Sequence, residues 1–189
     1  MTEHPVTLVS SDDLKRSRLT SLVRFLLVIP HAFVAAFYGI PVLILGVWLM
    51  PWIGLVLGRT PQGLHGFMAG WVRYVTRINA YANFLADPYP PFTGSPDAPY
   101  VVDAEIAPPE RQNRIHMFLR YYAVIPAYFV AAILGYANGV VALVLWILAV
   151  VLGRSPAGLV RFGMFVLTYQ TQTIAYLLQL TKRYPRLSF

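Results

Sequence analysis

The residues best placed to do chemistry in this 189-residue chain are arginines. A Gly-Arg-[Thr/Ser]-Pro-x-Gly-Leu motif occurs twice, at 58–64 and 153–159. Its glycine ends one helix, Thr60 or Ser155 is placed to cap the next, and Pro61 or Pro156 takes the first helical position, where its missing N–H costs nothing. The free N–H groups of such a helix start, together with the Arg59 or Arg154 guanidinium, suit a phosphate, and in an apolar chain that phosphate belongs to a lipid head group. Arg24 and Arg120 hold equivalent places just inside two long apolar runs and are expected to snorkel to head-group depth. Arg73 and Arg77, one turn apart, share a helix face. These six, Arg24, Arg59, Arg73, Arg77, Arg120 and Arg154, are assigned to contact with anionic head groups.

Other chemistries lack their residues. There is no cysteine, hence no thiolate, disulfide or Cys-ligated metal. His4, His65 and His116 have no metal-ligand spacing, and no catalytic residue, metal or cofactor is assigned. No paired-carboxylate cluster, nucleophile elbow, P-loop or dinucleotide fingerprint is present. The apolar runs contain no Asp or Glu to serve as an ion relay. They hold one histidine, His31, which reads as a packed residue because the second copy has Ala127 there.

The elements that must position these arginines follow from composition. Hydrophobic residues make up 57% of the chain and charged residues only 12%, too few to coat a soluble body of this size. The runs bracketed by Arg24 and Arg59 and by Arg120 and Arg154 carry no charge. As single helices they would measure roughly 50 Å, against a hydrocarbon core of about 30 Å. Each is therefore expected to fold back at Gly39-Ile40-Pro41 or at Gly135-Tyr136-Ala137-Asn138-Gly139. The halves are copies: Arg24, Val28-Ile29-Pro30 and Phe33-Val34-Ala35-Ala36 recur as Arg120, Val124-Ile125-Pro126 and Phe129-Val130-Ala131-Ala132. The expected architecture is an all-α integral membrane protein with two tandem transmembrane hairpins, four spans in all, each followed by an amphipathic interfacial helix. The first repeat covers 1–92 (hairpin 20–58, interfacial helix 61–86), a proline-rich linker 93–113, and the second repeat 114–189 (hairpin 117–153, interfacial helix 156–181). Whether 159–181 also spans is left open by its lack of charge. Alternation at Val102-Asp103-Ala104-Glu105-Ile106 and, more weakly, at Val6-Thr7-Leu8 predicts a small strand pair joining the repeats.

Net charge is +7, and in the four-span arrangement all fifteen basic residues fall on or near one side. The positive-inside rule then sets both termini in the cytoplasm. The polar stretch before Arg18 has no secretory cleavage pattern, so the first apolar run is expected to act as an uncleaved anchor. Nucleic acid is not the expected partner; anionic lipid is.

The order V-I-P-H, G-R-x-P-x-G-L, W-V-R-Y-x-x-R-I-x-A-Y and D-x-Y-P-P-F resembles the bacterial membrane family called domain of unknown function 4389, in two tandem copies. The first copy, with His31, Arg73, Arg77 and 87–92, is the closer match; the second departs at Ala127, Thr168, Gln172 and Lys182. The resemblance implies a multi-pass protein of the bacterial inner membrane and supplies no catalytic residues. The expected function is a non-enzymatic membrane scaffold or accessory subunit that contacts anionic lipid, with a protein partner or a second copy of the chain as further candidates. The alternative is a small oligomeric transporter or channel with its pore along the repeat interface. An enzyme acting on lipids ranks behind both.

Overall fold

The computed structural model describes residues 4–187. The first apolar run folds as one continuous helical rod, α1 (Arg18–Leu43), a π-helical stretch (Ile44–Leu49) and α2 (Met50–Leu57). Ser17 caps its start by accepting the Thr20 N–H, and Gly58, at φ 63°, ends it. The second run is α4 (Arg114–Ala123), capped by Asn113, then α5 (Ile125–Leu152), ended by Gly153 at φ 68°. L side chains rarely adopt that left-handed conformation, which is why glycine closes both rods.

The four-span, two-hairpin expectation is therefore corrected. Gly39 and Pro41 lie inside α1, and Gly135, Asn138 and Gly139 lie inside α5. A glycine costs a helix only about 1 kcal/mol, less than the backbone hydrogen bonds a turn would break in apolar surroundings. Pro41 costs more, and the π-helical stretch absorbs it. There the Ile44 N–H reaches the carbonyls of both Ile40 and Pro41, and the Met50 N–H reaches back to Leu45. Two helices, Arg18–Leu57 and Ile125–Leu152, are thus long and apolar enough to cross a membrane.

The expected interfacial helices form as α3 (Gln62–Ala82) and α6 (Ala157–Leu177), but they lie at the centre of the molecule. α3 runs antiparallel to α1, with the Trp71 Nε1–H donating to the Ala35 carbonyl at 3.0 Å and Tyr38 to Phe67 at 2.7 Å. α6 runs antiparallel to α3 and α5 to α6, and the set closes because α1 also packs on α5 and α2 on α4. Met68, Ala69 and Val72 of α3 share a buried cluster with Val42, Met50, Ala175 and Leu178. Neither Thr60 nor Ser155 caps these helices, contrary to expectation: Pro61 and Pro156 occupy the cap positions, and Thr60 donates instead to the Gln179 carbonyl at 2.9 Å.

Strands β1 (Val6–Ser10) and β2 (Val102–Ile106) pair antiparallel, Val6 opposite Ile106 and Leu8 opposite Ala104. They cover the outer face of α3 and α6, with the Arg73 Nε–H donating to Ala104 and Gln172 to the Val6 carbonyl. Leu8 and Ala104 are equivalent positions of the two repeats, and so are Thr76 and Thr171, whose hydroxyls meet at 3.1 Å. A two-fold axis therefore runs through both contacts. Away from the axis the repeats exchange ends: the Arg16 N–H donates to the Gly153 carbonyl and the Gln112 N–H to the Gly58 carbonyl, each at 2.9 Å. The start of each rod thereby sits against the end of the other.

Candidate lipid-facing surface

Helix periodicity puts Ser21, Arg24, His31, Gly39 and Val42 on one stripe of α1, and that stripe is buried against α3. The remaining faces are apolar and uncovered. Leu19, Leu22, Leu26, Phe33, Phe37 and Ile40 lie along the outside of α1, Trp48 and Trp52 follow, and Tyr122, Phe129, Ile133 and Val140 repeat the pattern on the second rod. Phe37 is 72% exposed and Trp48 75%. A contiguous apolar surface of this length on a soluble monomer would be an association site, and here it flanks a molecule with few charges.

The arginines divide into two sets. Arg24, Arg77 and Arg120 are almost fully buried, so the expectation that they contact head groups is corrected. Arg24 donates from Nη1 to the carbonyls of Tyr81 and Ala86, both at 3.0 Å, and from Nη2 to Asp87 at 2.7 Å. Its guanidinium lies 4.3 Å from the Tyr81 ring centre and 4.4 Å from that of Phe84. Arg120 repeats this on α6, donating to the carbonyls of Tyr176 at 3.3 Å and Thr181 at 2.8 Å, with the Tyr176 ring beneath it. Each arginine thus closes the carboxyl end of the helix beside it, where unpaired carbonyls and the negative pole of the macrodipole favour a cation. The chain turns there through left-handed Phe84 and Gln179, both at φ 60°. The Leu85 N–H donates to Ala80 and the Leu180 N–H to Ala175, the bonds of a Schellman cap.

The copies differ in how the charge is met. Asp87 pairs with Arg24, but its counterpart Lys182 reaches Glu110 at 2.8 Å. Arg120 instead bonds the Gln112 side chain and has no carboxylate partner among the described residues. Arg77 holds Asp103 with two bonds, 3.0 and 2.6 Å, and donates to the carbonyls of Thr93 and Ser95, pinning the linker to α3. Asp103 and Asp87 are thus the site residues that sequence reasoning missed. Asp103 lies in the strand whose alternation was legible, but nothing in that alternation names its arginine.

Arg59 and Arg154 remain exposed, one at each end of the molecule, and Arg73 is half-buried. Burial presses the Arg73 guanidinium toward its neutral form, and Asp103 nearby opposes this.

His31 is fully buried, as a packed residue should be. Its Nδ1 and the Tyr74 hydroxyl share a hydrogen bond at 2.8 Å, and its ring stacks on Phe92 at 4.1 Å. Burial pushes the Tyr74 phenol up to about 12. The V-I-P-H and D-x-Y-P-P-F motifs of the first copy therefore meet in space, Asp87 on Arg24 and Tyr89 with Phe92 around His31. A cavity of about 180 Å³ lies between α3, α5 and α6, lined by Trp71, Val75, Ala131, Leu167, Gln170 and Ile174.

A family model described as Domain of unknown function (DUF4389) matches residues 18–94 and again 114–187, two tandem copies. No curated protein and no solved structure matches the chain.

Proposed function

Because the chain belongs to the DUF4389 family in two tandem copies, we propose from its surface that it is a non-enzymatic membrane scaffold or accessory subunit that contacts anionic lipid. The observation that carries this reading is the uncovered apolar surface along both rods, from Leu19 to Leu57 and from Tyr122 to Leu152. Hydrocarbon is the solvent that such a surface prefers. Exposed Arg59 and Arg154 stand at the ends of the rods, where a head group would meet them. The proposed location is the bacterial inner membrane, with the basic ends and both termini on the cytoplasmic side, in keeping with the +7 charge.

Flotation of the purified protein with vesicles tests this. Binding to vesicles of phosphatidylcholine with phosphatidylglycerol should exceed binding to phosphatidylcholine alone, and Arg59→Glu with Arg154→Glu should remove the difference. Equal binding to both compositions would sink the anionic-lipid part, and no flotation would sink the membrane part.

The cavity between the repeats favours a second reading, a small oligomeric transporter or channel with its path through that interface. Solute flux or conductance from reconstituted protein would establish it in place of the scaffold.

A further inference from the structure

A two-fold axis that relates antiparallel helices must be perpendicular to them. Here α1, α3, α6 and α5 alternate in direction, so the axis through Leu8–Ala104 and Thr76–Thr171 runs across all four. If the helices crossed a bilayer, the axis would lie in the membrane plane, and whatever sits on it would lie at mid-depth. What sits there is the strand pair. It carries exposed Glu105, partly exposed Asp103 and the outer edges of a two-stranded ribbon. A charged side chain at mid-depth costs about 2.5–3.5 kcal/mol on insertion scales, and open strand edges do not occur in hydrocarbon.

The basic residues lead to the same result. Lys15, Arg18 and Arg154 gather where the first rod starts, and Arg59, Arg111 and Arg114 gather at the opposite end, separated by α3, about 30 Å of helix. A spanning orientation would put one cluster on each side of the membrane, against the positive-inside rule. Laid flat, the molecule puts both clusters at the head groups of one surface. The apolar exposure from Leu19 to Leu57 runs for about 57 Å, nearly twice the thickness of the hydrocarbon core, as suits a rod that lies along a leaflet.

We propose that the molecule occupies a single leaflet, its internal two-fold axis along the membrane normal, with the strand pair facing water and the long rods embedded in lipid without crossing it. This rests on the membrane reading above and states how that surface meets the bilayer.

The chain has no cysteine, so introduced thiols are unambiguous. Exposed Asp13, Arg111 and Glu105 mark the two ends and the strand pair. In bacterial cells, Asp13→Cys, Arg111→Cys and Glu105→Cys should react with a membrane-impermeant maleimide from the same side, at least tenfold faster in inverted vesicles than in spheroplasts or the reverse for all three. Reaction of Asp13→Cys and Arg111→Cys from opposite sides, in protein that resists alkaline carbonate extraction, overturns the orientation and leaves the membrane reading standing. Release by carbonate overturns the membrane reading and the orientation with it. Bimane on Phe33→Cys gives a second measurement that does not depend on sidedness. It should be quenched most by lipids brominated within one leaflet's acyl region, and strongest quenching at the bilayer centre would overturn the proposal.

Discussion

Thr76 and Thr171 stand 95 residues apart in the chain, yet their hydroxyl oxygens meet at 3.1 Å on the axis that relates the repeats. Each occupies the same place in its own helix, so the pair is a contact of one position with itself. Thr76 donates its hydroxyl proton to the Val72 carbonyl at 2.8 Å, which leaves Thr171 to donate across the axis. The inter-repeat bond is buried and should contribute about 1 kcal/mol. A double-mutant cycle with Thr76→Val and Thr171→Val, read by thermal unfolding in detergent, should give a coupling of about 0.5–1.5 kcal/mol, since Thr76→Val alone leaves the Thr171 hydroxyl without its partner across the axis and the double change removes it. Strict additivity would mean that the two hydroxyls do not support each other.

Arg24→Leu should destabilise the protein far more than Arg59→Ala. The first removes a buried cation from Asp87 and strands the carbonyls of Tyr81 and Ala86, a class of change that costs about 3–5 kcal/mol; the second removes an exposed charge. Asp87→Asn should cost less, because Asp87 keeps contact with water and the two carbonyls still hold the arginine. Melting temperatures of the three variants in one detergent check the order.

Gly94→Ala should dislodge the linker. A Cβ at Gly94 would overlap the Gly70 carbonyl, and backbone cannot swing aside as a side chain can. Overpacking of this kind costs about 1–3 kcal/mol or more. Gly63→Ala is the control, with nothing within 4 Å of the added methyl. Protease sensitivity of the segment 87–101 should rise in the first variant and stay unchanged in the second.

Acid should weaken the fold through His65. Its Nε2 lies 3.4 Å from the Leu180 carbonyl in a buried site, and burial depresses its pKa below the ordinary 6.5, a shift the Leu180 bond opposes and Arg73 reinforces. His4 is shifted the same way by burial. An unfolded chain therefore binds protons that the folded one resists. The stabilisation is complete above pH 6.5 and is lost as pH falls through the depressed folded value. His65→Gln should flatten the fall in melting temperature below pH 6.5, and an unchanged slope would assign that fall elsewhere.

A rod pair that fills one leaflet should widen it. Binding of the purified protein to small vesicles should exceed binding to large ones of the same composition, roughly several-fold at equal lipid. Equal binding would mean that the inserted volume does not strain the leaflet.

Much of this molecule is legible in its amino-acid sequence. The apolar rods, the duplication, α3 and α6, and even the short strand pair follow from hydropathy, spacing and alternation. The turns at Gly39-Ile40-Pro41 and 135–139 were misread because breaker residues report a local cost of a few kcal/mol, whereas the cost of opening a helix depends on whether water is there to satisfy it. The arginine reading failed for a related reason. Arg24 and Arg120 are held mainly by main-chain carbonyls, a partner that every residue carries and no motif advertises.

The sequence by itself determined that the chain repeats, that it is helical, that it holds two long apolar rods, and that its charge is concentrated outside them. Tertiary structure alone decided that the helices run on through Gly39-Ile40-Pro41 and through 135–139, that α3 and α6 lie inside rather than at an interface, and that the repeats swap ends about an axis through Leu8–Ala104 and Thr76–Thr171. Periodicity records which faces of a helix are apolar, but it is blind to whether lipid or another helix covers them. That is settled only when equivalent surfaces from the two copies find each other, and the geometry of that meeting is a property of the pair.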